Sequence, residues 1–589
     1  MRRIMAAAVM WTGGYALAQG GIDLDARIDA IAANGSVEVF TLAKSAQGRL
    51  VRGLKIAATG EGAPKDPAAI LLVAGTDARH VMGVRTALGI AERAAKEPGN
   101  WLNGRTLYVV PCVNPDGLAW WESQKVNADF GRVPSSMDAD RDGRMDEDPC
   151  DDVNGDGVIT LMRVKNPSPL SGLTATMVED AEEPGVMRGP DGGKGEQAVY
   201  AVLAEGIDND GDGAFNEDGV GGGPGSAGGG IDLDLNFPAH WPEFRDGAGR
   251  HPLEAPEALG LAEFVLRTPG IAAVVVFGPR DTVVGVPEAG KMDASGQVPL
   301  GIENDDKRLY EAVSGKYKEL TGLNESPRGE LAGSFAQWAY AHHGLPTFAT
   351  GLVVRPDQMK EEKRPKAPAK PGVEAGDGAA AGGGEAEKPA EEKKPEPKRP
   401  EPKSDEGKWI RWFEDRQRDF GAPAGFVPWT RVKHPQLGEV EVGGVVPGAK
   451  WWASEDDVKR LVEDHAAFVR ELCGRLPEPS SIAGEAKRVG PGLWRVAVRV
   501  TNTGMMPTLT AIGNKANTRA GVVATLGVAP ADVLEGGIVR QQGVVKGEGG
   551  TFDAVWTVRA ADGSRVKVEV FSATMRPRTI EIELKEMGL

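Results

Sequence analysis

Asp77 and His80 place a carboxylate and an imidazole three residues apart, with Arg79 between them. Both groups bind zinc, and a catalytic zinc takes three protein donors while keeping a fourth position for water. The pair therefore needs a partner, for which Asp281 and Asp234 are the acids on offer. A second set of residues suits a different ion. Asp138, Asp140, Asp142 and Asp146 surround Gly143; Asp152, Asn154 and Asp156 precede Gly157; Asp208, Asp210, Asp212 and Asn216 surround Gly213. Each run sets side-chain oxygens at alternate positions before a glycine turn, as hard oxygen donors do around calcium. The same residues also make solvated turns without metal. Repetition of the pattern favours structural calcium at weak extracellular sites; the ion would order this segment and supply no hydrolysis.

Elements able to hold these residues are legible as apolar runs. Ile70–Ala74, Thr106–Val110, Ile271–Phe277 and Thr347–Val354 read as buried strands, and Val84–Ala95 as a helix between the first two, hence an α/β sheet. Glu455–Leu476 carries Val458, Leu461, Val462, Phe468, Val469 and Leu472 at helical spacing. Beyond Pro477, strand-like alternation at 493–500, 554–558, 566–571 and 579–584 predicts a small β-sandwich over 484–589.

The chain has 589 residues, enough for two or three domains, and its 41% hydrophobic content fits a globular protein. A net charge of −17 without a basic face argues against nucleic acid as a partner. Arg2-Arg3, the apolar run to Trp11 and Ala16-Leu17-Ala18 form a secretory signal peptide over 1–18, predicting a secreted or periplasmic protein cleaved near Ala18. The arginine pair also permits the twin-arginine route. No later stretch reads as a transmembrane helix. Three cysteines, Cys112, Cys150 and Cys473, allow at most one disulfide, for which Cys112–Cys150 is one pairing. From 357 to 408 the composition turns to Lys, Glu, Pro, Ala and Gly, predicting a disordered insertion.

Five ordered motifs carry a resemblance. Gly75-Thr76-Asp77-Ala78-Arg79-His80, Asn114-Pro115-Asp116-Gly117, Gly230–Phe237, Glu254-Ala255-Pro256-Glu257 and Gly333–Trp338 resemble, in order and rough spacing, the motifs of the carboxypeptidase A-like zinc carboxypeptidases. The resemblance implies an α/β domain, a mixed sheet flanked by helices, over 25–356. It is interrupted by the acidic insertion at 136–230 and completed by 409–477. The acidic loops in turn resemble those of EF-hand, dockerin and thrombospondin type 3 repeats. Where an EF-hand has its twelfth-position Glu, they have Pro149, Arg163 and Gly219.

The same resemblance implies that the active site has eroded. Asp77 stands in the place of the family's first histidine ligand and His80 in that of its glutamate. Gly278 stands for the second histidine and Gly351 for the general base, leaving no catalytic residue. Asp234-Leu235 replaces the Asn-Arg that clamps a substrate carboxylate, and no tyrosine occurs in 326–332. Arg79 matches a family arginine and Arg163 is a further substrate-binding candidate, although each has an ion-pair role as its simpler account. The expectation is an exported pseudopeptidase that has lost zinc and serves as a peptide-binding or scaffold module. The rivals are an active metallocarboxypeptidase with a remodelled site at Asp77 and His80, and a calcium-stabilised extracellular structural protein.

Overall fold

In the computed structural model the described residues are 21–57, 68–123, 131–136, 138, 140–219, 229–326, 329–352, 355–360, 401–420, 425–517, 519, 521–541, 544–573 and 575–585. The expected signal peptide lies outside them. The main sheet is built from β1 (Val37–Lys44), β2 (Leu50–Ala57), β3 (Ala69–Ala74), β4 (Thr106–Val110), β7 (Ile271–Phe277) and β8 (Thr347–Thr350), in the order β1-β2-β4-β3-β7-β8. β1 and β2 run antiparallel to their neighbours; β4, β3, β7 and β8 are parallel. Every residue of β3 and β7 is buried, which is why both read as unbroken apolar runs rather than as alternation.

Helices cover both faces. On one side α2 (Val81–Lys96), α5 (Lys307–Thr321) and α8 (Glu455–Arg475) share a core with Leu72, Val275 and Phe348. On the other, α4 (Pro256–Arg267) and α6 (Phe335–Ala341) pack on Leu71, Val73, Val274 and Val276. Small residues let α2 and α8 approach closely: a side chain at Gly89 would collide with Val462. α8 starts at a capping box, with Ser454 Oγ accepting from Asp457 N (3.2 Å) and Asp457 Oδ2 accepting from Ser454 N (3.1 Å).

The expected remainder of the domain at 409–477 divides in two. Only α8 joins the main sheet. The hairpin β9 (Phe426–His434) and β10 (Gly438–Val445) pairs instead with the acidic insertion, whose strands β5 (Leu161–Lys165) and β6 (Tyr200–Ala204) complete a separate sheet β9-β10-β5-β6. Val440 and Val442 pack there with Met162, Val164 and Ala201, a buried contact between segments far apart in sequence. The stretch expected to be disordered, 357–408, carries regular structure at both ends. Pro356–Gln358 forms a 3-10 turn, and α7 (Asp405–Phe420) begins before Trp409. Arg355 ties the two ends, with Nη2 2.6 Å from Asp405 Oδ1 and its guanidinium stacked on Trp409. The centre of that stretch, 361–400, lies outside the described residues.

Two antiparallel sheets form the C-terminal sandwich, β11-β12-β16-β14 and β15-β13-β17-β18. They comprise β11 (Pro479–Gly490), β12 (Leu493–Asn502), β13 (Val523–Gly527), β14 (Val533–Glu535), β15 (Val539–Gln541), β16 (Gly550–Arg559), β17 (Arg565–Ser572) and β18 (Met575–Glu583). Trp494, Val496, Val498 and Val500 alternate inward on β12, opposite Trp556 and Val568. The sandwich docks on the main domain: Thr510 Oγ1 donates to Gly344 O (2.7 Å), Asp306 Oδ1 accepts from Ala511 N (2.7 Å) and Lys515 pairs with Glu303 (2.7 Å). No disulfide joins Cys112 and Cys150.

Candidate functional site

In parallel sheets, sites gather beyond the carboxyl ends of strands, where the strand order reverses. Here β3 is followed in sequence by β4 on one side, while β7 flanks it on the other. The residues leaving these strand ends are those the motifs single out: Asp77 and His80 after β3, Gly278 after β7, and Gly351 after β8.

Their chemistry is self-contained. Asp77 Oδ1 accepts from the Arg79 backbone N (2.9 Å) and Nε (3.0 Å), and Oδ2 from Nη2 (2.6 Å). Arg79 also lies over the Trp451 ring, 4.7 Å from its centre. Burial alone would raise the Asp77 pKa, but the guanidinium's charge and hydrogen bonds outweigh it and hold the carboxyl below its usual value. Asp234 is the mirror case. Its Oδ2 accepts from Thr76 Oγ1 and stands 2.9 Å from Arg280 Nη1, while its backbone carbonyl accepts from Arg280 Nη2 (3.0 Å). Burial raises the Asp234 pKa, with Arg280 opposing.

These residues do not fit a zinc ion. His80 Nε2 lies 3.1 Å from the Gly351 carbonyl oxygen. That oxygen can only accept, so Nε2 carries the proton and offers no lone pair. The other nitrogen, Nδ1, is buried against Gly83, where an added Cβ would collide with it. Burial lowers the His80 pKa and keeps the ring neutral. Asp281 does not reach the pair: its carboxylate accepts from Val284 N (3.0 Å) and Gly285 N (2.5 Å), closing the turn after β7. Among the described residues no third His, Cys, Asp or Glu converges with Asp77 and His80. At Gly278 and Gly351 there is space without a donor: an added Cβ would have its nearest neighbour at 3.6 Å in both.

The motifs that persist have work in the fold. Asn114 Oδ1 accepts from Gly117 N (2.8 Å) and its Nδ2 donates to Gly131 O (3.1 Å), while buried Asp116 accepts from Ser45 Oγ and Gln47 N (2.7 Å each), fastening the turn between β1 and β2. Asn236 donates to Ala248 O (2.8 Å) and accepts from Ala255 N (3.1 Å). Ser334 caps α6 through Gln337 N (3.1 Å).

Arg163 is not near this cleft. On β5 its guanidinium meets Glu179 (3.2 Å) and Glu441 (2.8 Å) between the Tyr200 and Trp429 rings, a structural clamp within the second sheet.

The acidic loops regroup in space. Asp138 and Asp140 converge with Asp218; Asp140 also meets Asp210 and Asp212, and separately Asp142 and Glu147. Asp152 and Asp156 converge with Glu205. Asp146 and Asp208 join none of these clusters. Asn154 instead donates to Asp156 Oδ2 (3.0 Å), and Asn216 to the Ala204 carbonyl (3.1 Å). Glu147, Asp218 and Glu205 lie outside the Asp-x-Asp/Asn-x-Asp-Gly-x-x-Asp/Asn pattern, which ends before each of them. Glu205 is fully buried; burial, reinforced by Asp156 and Asp152, pushes its carboxyl up to about 9.

Comparison with known proteins agrees with the motifs. Residues 25–155 match the model of the zinc carboxypeptidase family, and residues 483–583 match that of a domain of unknown function (DUF8731). No curated protein matches. Similar solved structures include thrombin activatable fibrinolysis inhibitor, with 13% identity, 60% of this chain and 71% of that one covered, and a TM-score of 0.32. Carboxypeptidase A from Helicoverpa armigera shares 11% identity over 56% of this chain and 63% of its own, with a TM-score of 0.34. A metallo-carboxypeptidase from Burkholderia cenocepacia shares 12% over 55% and 58%, with a TM-score of 0.28. Residues 25–155 are thus similar to zinc carboxypeptidases. No described helix is long and apolar enough to cross a membrane.

Proposed function

We propose that this is a non-catalytic zinc carboxypeptidase-like protein, exported and acting as a peptide-binding or scaffold module. One observation carries the reading: the cleft's two acids are each neutralised by an arginine of the same chain, Asp77 by Arg79 and Asp234 by Arg280. The guanidinium ions bring the positive charge that a metal would otherwise bring, in short charge-assisted contacts with each carboxylate. With Gly351 at the base position, nothing there can take a proton from water. The leader over 1–18 supports export, and the docked sandwich suits a role in stabilising the main domain.

The test is elemental analysis of the purified full chain after dialysis with trace zinc, alongside an assay for C-terminal trimming of peptides. Zinc far below one per chain and no chelator-sensitive trimming is the expected result. Zinc near one per chain, lost in both Asp77→Ala and His80→Ala together with trimming, would instead establish an active enzyme with a remodelled site. Export is checked by N-terminal sequencing of the mature protein, which should begin near Gln19.

A further inference from the structure

The loop after Cys150 folds its oxygens inward. Asp152 Oδ1 accepts from Asp156 N (3.0 Å) and Oδ2 from Gly157 N (2.8 Å); Asp156 Oδ1 accepts from Val158 N (2.9 Å). Gly157 takes φ +87°, the turn that brings Asp156 back beside Asp152. Glu205 enters this loop from the second sheet, immediately after β6. Its Oε1 is fixed by Thr160 N (3.0 Å) and the residue has no solvent exposure, yet its Oε2 has no hydrogen-bond partner. One oxygen from each of the three carboxylates lies within 4.8 Å of the others. Among the described residues, no lysine or arginine forms an ion pair with any of them.

Such an arrangement takes its neutralising charge from solution, as a bound cation or, without one, as a proton on Glu205. Leaving a buried charged oxygen unpaired costs several kcal/mol in general. Oxygens bound to a common calcium at about 2.3–2.6 Å stand up to roughly 5 Å from one another, which matches this spacing. All the donors are hard oxygens, with no sulfur or imidazole to favour a transition metal.

We propose that Asp152, Asp156 and Glu205 form a calcium site, in which Glu205 supplies the carboxylate that an EF-hand-like loop draws from its own twelfth position, here occupied by Arg163. The ion joins the loop to the sheet: Val158, next along the loop, is buried with Trp409 and Phe413 of α7. The site thus fastens the insertion to the segment that follows the Lys/Glu/Pro-rich stretch. It is independent of whether the cleft is catalytic.

The experiment is calorimetric titration of the chelator-stripped full chain with calcium chloride, and with magnesium chloride in parallel. Calcium should bind with a dissociation constant of about 10⁻⁵–10⁻³ M, the range of sensor and extracellular sites, and at least about tenfold more tightly than magnesium. Glu205→Gln, which keeps the bond to Thr160 N and removes the charge, should bind one calcium fewer per chain. Should that variant fail to fold, Asp156→Asn decides: loss of one calcium supports the site and retention overturns it. Wild-type stoichiometry and affinity in Glu205→Gln, or no calcium bound by the native chain up to about 10 mM, would also overturn it. Equal affinity for magnesium would overturn the identity of the ion.

Discussion

The cleft and the acidic insertion both bury carboxylates, and they differ in where the counter-charge comes from. At the strand ends, Arg79 and Arg280 are covalent parts of the chain and stand 2.6 and 2.9 Å from Asp77 and Asp234. In the insertion, Glu205 meets two more carboxylates and no cationic side chain among the described residues. A site that carries its own counter-ions needs no metal, whereas one that lacks them takes its neutralising charge from solution.

The comparison breaks most forcefully at Arg280. Arg280→Met strips Asp234 of its guanidinium and leaves Thr76 as its side-chain partner. Breaking a buried pair from one side typically costs about 3–5 kcal/mol, and a loss near the lower end is expected because Arg280 keeps some solvent contact. The urea midpoint measures it, and Arg280→Met combined with Asp234→Asn should recover most of the loss. An unchanged midpoint in the single variant would mean that Asp234 does not depend on the pair, and the idea of self-neutralisation would fall.

A comparable effect should come from pH, through a residue behind the cleft. His465 on α8 is buried, its Nε2 2.9 Å from Tyr317 Oη and its Nδ1 2.8 Å from Leu461 O. Burial lowers its pKa from the ordinary 6.5 to about 4. Between those values the unfolded chain takes up a proton that the folded chain refuses. The contribution is therefore complete above pH 6.5 and is lost as pH falls toward 4, by about 3 kcal/mol in all. Melting curves from pH 7 to 4.5 should show His465→Gln losing less stability over this window than the parent chain; parallel curves would remove the histidine from the account.

Much of the scaffold was legible because each signal was local. β3 and β7 appear as apolar runs, and β12 as alternation over 493–500. The donors Asp77 and His80 could be named from their motif together with the adjacent Arg79, but not the Gly351 carbonyl that His80 meets nor the Arg280 that pairs with Asp234, since both arrive from the ends of other strands. For Arg163 the ion-pair role, the simpler of its two readings, is the one found, but its partners Glu179 and Glu441 and the Tyr200 and Trp429 rings were not visible in the sequence. The three acidic loops could be found but not paired. Asp140 meets Asp210 only when the insertion folds, and Glu205 follows an apolar strand that gives no sign of the loop it faces. Likewise, β9 and β10 read as part of the main domain until their pairing with β5 is seen.

The ion sharpens the comparison by a smaller amount. With free calcium at about ten times its dissociation constant, binding to the native state alone adds about 1.4 kcal/mol. Chelation should lower the parent's urea midpoint accordingly. Glu205→Gln should lose that part of the calcium dependence which belongs to its site, while Arg280→Met should keep it. A calcium response abolished by Arg280→Met in a folded protein would show that the two regions are not separate.

Gly278 should give the smallest change and the most telling one about the space in the cleft. It has no left-handed backbone angle, and a Cβ there would meet Thr76 Oγ1 at 3.6 Å and Asp234 Oδ2 at 4.0 Å, both ordinary contacts. A glycine in a backbone conformation that alanine can share leaves the unfolded chain more entropy to lose, so Gly278→Ala should leave stability unchanged or raise it, by up to about 1 kcal/mol. That result would mean the third donor position was vacated while its space was kept, the scaffold having survived the removal of its chemistry. A loss above about 2 kcal/mol would point the other way, to surroundings that had closed around the glycine as part of the core. The distinction bears on binding as well: a cleft that keeps its space can still admit a peptide end, and one that has closed cannot.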